Sequence, residues 1–132
     1  MREETTEWVN KAEEDYSVAE ILRENKKKKN YNSICFHSQQ CVEKYLKSLL
    51  SENSLEIPYT HDLKYLSKLL KDVCPWVSIY STSVRILTDY ATISRYPGED
   101  ADSEEASTAF RLCKEIRQRC QEFLSDEITS IL

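Results

Sequence analysis

The chain has 132 residues, of which 40% are hydrophobic and 31% are charged, with a net charge of −5 and a single glycine. That length suits one domain with one core, residues 1–132. The scarcity of glycine disfavours all-β folds, whose hairpins and sheet corners need it, and the acidic charge disfavours broad non-specific binding to nucleic acid.

Apolar residues at spacings of three and four predict a first helix from Thr5 or Thr6 to about Asn25, with Thr6 as its N-terminal cap. The run KKKKN follows it. This run is either a cationic helix end or a solvated loop, and exposure is the simpler interpretation. The same spacing predicts a second helix from about Tyr31 to Glu52.

After the connector SENSLEIPYT, Thr60 or Asp62 is expected to cap a short third helix that ends before Pro75. A fourth helix is predicted over Val77–Ala91, and a fifth has apolar positions over Ala106–Phe123, after a break at YPGED. Four long amphipathic helices with short connections favour an all-α fold, a four-helix up-and-down bundle with a short additional helix.

Two polar residues stand out from the helical pattern. Asp15 lies in the apolar stripe of the first helix, where a desolvated carboxylate needs a cation or several donors close by. The alternative is that Asp15 lies at the edge of the stripe and reaches water. His61 directly precedes the third helix, where a histidine can pack, cap the helix or help to bind an anion.

The second helix carries a polar strip beside its apolar one. His37, Gln40 and Lys44 are spaced three and four apart, which places them on one side of the helix. Glu43 and Lys47 follow in the same manner. The strip is either a ligand-binding surface or an ordinary solvated face.

Four segments in this order cover most of the chain and together resemble the HEPN (higher eukaryotes and prokaryotes nucleotide-binding) family. They are KAEEDYSVAEILRE, YNSICFHSQQCVEKYLKSLL, IPYTHDLKYLSKLL and SRYPGED. The similarity is greatest to small prokaryotic members that stand alone or accompany a minimal nucleotidyltransferase. The resemblance implies a four-helix bundle with a short extra helix, usually dimeric.

In such proteins the R-Y-P segment ends the fourth helix and directs its arginine towards a polar groove near the dimer interface. Here Pro97 and Gly98 would end the helix sharply. The resemblance therefore implies a ligand-binding groove with these residues around it: Arg95, Tyr96, His37, Gln40, Lys44, His61 and Asp15.

Many HEPN proteins are metal-independent ribonucleases with an arginine followed, four to six residues later, by a histidine. This chain departs from that pattern, because both histidines precede Arg85 and Arg95, and neither Arg2 nor Arg23 stands at the required distance before one. We therefore expect no catalytic residues. The expected function is non-catalytic binding of a nucleotide or phosphate-bearing ligand by a homodimer, as partner of a minimal nucleotidyltransferase in a toxin–antitoxin-like system. The alternatives are a divergent ribonuclease toxin and a bare dimerisation scaffold.

Other features narrow the function further. No apolar run approaches the roughly 20 residues that span a bilayer, and the charged N-terminus does not resemble a signal peptide, so we expect a cytoplasmic protein. The five cysteines suit reduced thiols packed as small hydrophobes. Cys35, His37 and Cys41 lie close in sequence, but no zinc-ligand pattern or glycine-rich phosphate loop occurs, so we expect no metal and no cofactor.

Overall fold

The structure, a computed structural model, describes residues 1–93 and 97–131, and within them every regular element is a helix. The protein forms a helical bundle with a short extra helix, as the sequence predicts. The α-helices are α1 (Glu3–Glu24), α2 (Tyr31–Glu52), α3 (Leu63–Leu69), α4 (Ser81–Ile93) and α5 (Ser103–Ile131).

Helix α2 is the central element, because it contacts α1, α3, α4 and α5. Its buried positions extend around most of its circumference, including Cys41, Val42, Leu46 and Leu49. Such a helix must be covered from several directions. Polar residues on α2 therefore lie between packed helices more often than at a free surface.

The helix ends confirm one predicted cap and correct another. Asp62 caps α3, because its carboxylate accepts hydrogen bonds from the backbone amides of Lys64 and Tyr65 at 3.0 and 3.2 Å. Thr6 does not cap α1. The helix begins earlier, at Glu3, and the Thr6 hydroxyl instead donates to the Arg2 carbonyl within the first turn.

The predicted fourth helix also differs from the observed one. Residues Pro75–Tyr80 form a 3-10 helix, and α4 begins only at Ser81. Proline is favourable at the first position of a helix, because the amide that it lacks would have no intrahelical partner there, and short 3-10 segments are common before an α-helix.

Helix α5 begins at Ser103, before the first predicted apolar position. Asp102 and Glu105 form a reciprocal capping pair: the Asp102 carboxylate accepts from the Glu105 amide at 2.8 Å, and the Glu105 carboxylate accepts from the Asp102 amide at 3.2 Å. Before this cap, Gly98 adopts a φ of +88°, a conformation that side chains disfavour. Glycine is therefore suited to the break between α4 and α5.

The core is built mainly from leucine, alanine and cysteine side chains of all five helices. The five cysteines are all buried, as expected for thiols that pack as hydrophobes. Among the helices of the described residues, none combines the length and apolar composition that crossing a bilayer requires.

Candidate functional site

A buried carboxylate joins α1 to α2. Asp15 is 8% exposed, and its two oxygens contact two different groups of α2. One accepts from His37 Nδ1 at 2.7 Å and the other from Lys44 Nζ at 2.5 Å. We call Asp15, His37 and Lys44 the Asp15 cluster. The sequence required such partners for Asp15, and the structure supplies them.

The Asp15 contact fixes how His37 is presented. A carboxylate accepts a hydrogen bond but donates none, so Nδ1 carries the proton on this side of the ring. Nε2 remains for another partner, and the His37 side chain is 27% exposed. Lys44, at 24% exposed, uses one of its three N–H groups on Asp15. The cluster therefore presents an imidazole nitrogen and ammonium donors that are held by one carboxylate.

The second predicted histidine belongs to a separate group. Glu43, buried in α2, accepts from Lys47 at 3.2 Å and contacts Nδ1 of His61 at 3.0 Å. We call Glu43, Lys47 and His61 the Glu43 cluster. The ammonium of Lys47 also lies 5.3 Å from the centre of the Trp8 ring, a cation–π contact with α1.

Two glutamines connect the neighbourhoods of these clusters. Gln40 donates to the side-chain oxygen of Gln39 at 2.9 Å, and Gln39 donates to the backbone carbonyl of His61 at 3.4 Å. The polar strip of α2 is consequently not a solvated face. Its Glu43 and Lys47 side chains are almost fully buried, and its more accessible members are His37, Gln40 and Lys44.

A third ionic group ties α1 to α5. Glu13 receives two hydrogen bonds of 2.7 Å from the Arg117 guanidinium and one of 2.7 Å from the Tyr45 hydroxyl. The Arg117 bonds are the main cause that lowers the pKa of Glu13, against the opposing effect of burial. The guanidinium also lies 3.8 Å from the centre of the Tyr16 ring. These partners occupy Glu13, so we regard this group as structural.

Two predicted ligand-binding residues, Arg95 and Tyr96, lie outside the described residues. Their part in the site stays a prediction. Of the other five, the structure joins Asp15, His37 and Lys44 directly. Gln40 stands beside them on α2, and His61 belongs to the Glu43 cluster.

No group of three or more histidine, cysteine or acidic side chains suited to a metal ion occurs in the part of the chain that the structure describes. The buried cysteines also lack the environment of reactive thiolates. Burial raises the pKa of the Cys35 thiol to about 11 and that of the Cys41 thiol well above its usual value. The groups that the surface beside the Asp15 cluster offers to a ligand are therefore imidazole, ammonium and amide groups, not thiolates.

Comparison with protein families identifies the domain. The model of the HEPN domain matches residues 5–123, which includes both ionic clusters of α2. The chain belongs to the HEPN family. No curated protein and no solved structure matched the chain.

A HEPN domain is a nucleotide-binding or ribonuclease-like module, and this places the protein in that broad class. The family assignment does not choose between binding and cleavage. That choice depends on what the accessible groups beside Asp15 can do.

Sequence reasoning missed two features of this HEPN domain. Gln39 gave no signal, because its role depends on a backbone carbonyl of the α2–α3 connection. The Glu13–Arg117 pair was also not found. These residues are 104 positions apart, and only the packing of α1 against α5 brings them together.

Proposed function

We propose that the surface beside the Asp15 cluster binds a nucleotide or a similar phosphate-bearing ligand, and that the protein is a non-catalytic binding module. The observation that carries this proposal is that one buried carboxylate holds both His37 and Lys44. Groups held in this way lose little freedom when a ligand binds, which favours binding.

The chemistry of the two side chains suits different parts of a nucleotide. Lys44 retains N–H groups that can donate to a phosphate oxygen, and charge-assisted bonds of this kind are the stronger ones. Nε2 of neutral His37 can accept from a ribose hydroxyl or a base N–H. Gln40 offers an amide next to both. Because Asp15 offsets the charge of Lys44, this pair alone should bind an anion only weakly.

Further groups are part of the proposal. We propose that Arg95 supplies a second positive charge and Tyr96 a stacking or hydrogen-bonding group, and that His61 borders the same surface through the glutamine bridge. A guanidinium would add the bidentate phosphate contact that Lys44 cannot make.

Calorimetric titration with AMP and ATP tests this function. The Lys44→Gln variant should bind at least about tenfold more weakly, because it loses a charge-assisted hydrogen bond. Lys11→Gln is the matched control, since it removes the same charge from an exposed residue of α1. Equal affinity in the Lys44 variant and the control would contradict the proposal. No heat with either nucleotide would favour the bare scaffold.

A divergent, metal-independent ribonuclease is the second candidate, and one observation favours it. A carboxylate that orients an imidazole through Nδ1 leaves Nε2 placed to accept a proton, the arrangement of a general base. RNA incubated with the purified protein should stay intact if the protein only binds. Cleavage that is lost in His37→Ala and retained in His61→Ala would instead establish the ribonuclease.

We also propose a homodimer that acts in the cytoplasm with a minimal nucleotidyltransferase, in a toxin–antitoxin-like pair. The similarity of the four sequence segments to small prokaryotic HEPN proteins supports this. Light scattering of the purified protein tests the dimer. Co-purification with a nucleotidyltransferase encoded beside it tests the partner, and a monomer that binds no such enzyme would refute both parts.

A further inference from the structure

We infer that a second site, formed where α1, the lysine run and α5 meet, binds a chain of phosphate groups. The site is a cavity of about 280 Å³. Its cationic lining consists of Arg23, Lys26, Lys28 and Lys29. It is separate from the Asp15 cluster and does not depend on the function proposed for that cluster.

The charge of this cavity contrasts with that of the whole protein. Among the residues that the structure describes, four cations line it and no carboxylate does, although the chain carries a net charge of −5. Bringing like charges together around a concavity is unfavourable without an anion between them. Arg23 lies in the last turn of α1 and the lysines follow it directly, so one segment of chain carries all four cations to the cavity.

Local contacts hold part of this lining in place. The Asn25 side chain accepts from the backbone amides of Lys27 and Lys28 at 3.1 and 3.2 Å, which orders the turn that carries the lysines. The Arg23 guanidinium lies 5.0 Å from the centre of the Phe110 ring on α5. Phe110 does not line the cavity but a neighbouring groove, which Arg23 also lines, so Arg23 stands at the border between the two.

The uncharged lining of the cavity includes both apolar side chains and hydroxyl groups. Leu22, Ile34 and Ala106 contribute apolar surface, while Ser103 and Ser107 of α5 contribute hydroxyl donors. Hydroxyl groups beside cations suit phosphate oxygens, which accept several hydrogen bonds at once. The volume lies just below the roughly 300–1,000 Å³ of most small-molecule sites. It therefore suits a phosphate chain better than a complete nucleotide, whose base would extend outside.

A cleft between α3 and α4 provides the comparison that the test needs. It is larger, about 710 Å³, and it also has cations in its lining, but Asp62 and Asp89 line it as well. Its lysines are Lys64, Lys68 and Lys71. Replacing these three lysines changes the net charge of the protein as much as replacing the three lysines of the first cavity.

The test is calorimetric titration of the full chain with sodium tripolyphosphate at low ionic strength, where charge interactions are least screened. The triple variant Lys26→Gln, Lys28→Gln, Lys29→Gln should bind at least about tenfold more weakly, since it loses several charge-assisted contacts. The control variant Lys64→Gln, Lys68→Gln, Lys71→Gln should stay within about twofold of the unaltered protein. Circular dichroism should show both variants folded, because all six lysines are exposed.

Competing ligands identify the source of the phosphates. Displacement of tripolyphosphate by ATP but not by AMP would support the site and assign it to nucleotide polyphosphates. Failure of both to compete would support the site and assign it to inorganic polyphosphate. Because the surface beside Asp15 is itself proposed to take phosphate-bearing ligands, only the tripolyphosphate binding that the triple variant of the lysine run loses is assigned to this second site.

Three results would overturn the inference. The first is no binding of tripolyphosphate to the unaltered protein. The second is an equal loss of binding in the two triple variants, which would indicate a general charge effect. The third is lysine-run-dependent binding of a short RNA without binding of tripolyphosphate, which would assign these lysines to a phosphodiester backbone.

Discussion

Removing the carboxylate of Asp15 should destabilise the protein by about 2–3 kcal/mol. The side chain of Asp15 is 10% exposed and makes two charge-assisted hydrogen bonds. Breaking a fully buried ion pair costs about 3–5 kcal/mol, because a charge is left without a partner. Here His37 and Lys44 are each about a quarter exposed and can turn to water, so the Asp15→Ala loss should lie below that range.

Urea unfolding followed by circular dichroism measures this loss. In thermal unfolding, at about 3 °C per kcal/mol for a chain of this length, the melting temperature should fall by roughly 6–9 °C. Glu14→Ala is the matched control. It removes a negative charge from the next position of α1, where the side chain is exposed, and should change stability by less than about 0.5 kcal/mol.

A double-mutant cycle separates the ion pair from other effects of the substitution. Asp15→Ala and Lys44→Ala should show a coupling of about 1–2 kcal/mol, since the two side chains are in direct contact. A coupling near zero, or an Asp15→Ala loss no larger than that of Glu14→Ala, would refute the claim that Asp15 holds Lys44.

Three further measurements test other parts of the structure. The pKa of Glu13 is lowered from 4.5 mainly by Arg117. Its contribution to stability is therefore complete above pH 4.5 and is lost as the pH falls through the lower pKa of the folded protein. The free energy of unfolding of Glu13→Gln, measured against pH, should lack that part of the decline in acid. In urea unfolding, Gly98→Ala should lower the free energy of unfolding by about 1 kcal/mol and Ser54→Gly should raise it by about 0.5–1 kcal/mol, because both positions have positive φ. Ellman's reagent at pH 8 should label all five cysteines only after unfolding, as expected for buried thiols such as Cys35; rapid labelling of the folded protein would contradict their burial.

The helices were predictable because their signal is local. Apolar spacing places α1 and α2 within a few residues of their observed ends, and the sequence before α3 offers Thr60 and Asp62 as caps, of which the structure has Asp62. The start of α4 was not predictable in the same way. A 3-10 helix and an α-helix place apolar residues at similar spacings over one or two turns, so the sequence over Pro75–Tyr80 suits both.

The polar site was predictable only in part, because a helix specifies which of its residues share a side but not what covers that side. The spacing of His37 and Lys44 placed them together, and the position of Asp15 in an apolar stripe required a partner. Whether Asp15 would meet His37 and Lys44 depended on the alignment of α1 with α2, which the sequence does not specify. That alignment is fixed by contacts such as the 3.1 Å hydrogen bond between Thr5 and Ser51.

The same alignment explains why the side chains of the two histidines differ in exposure. Helix α1 covers the Lys47 end of the strip with Trp8 and meets the other end with Asp15. His61 reaches the strip from outside, and its side chain is 72% exposed while its carboxylate partner, Glu43, is buried. His37, in contrast, lies on the central helix α2 itself, and its partner Asp15 lies on the neighbouring helix α1. The side chain of His37 is 27% exposed and therefore has less freedom to move than that of His61, which makes His37 the more suitable of the two for fixed recognition.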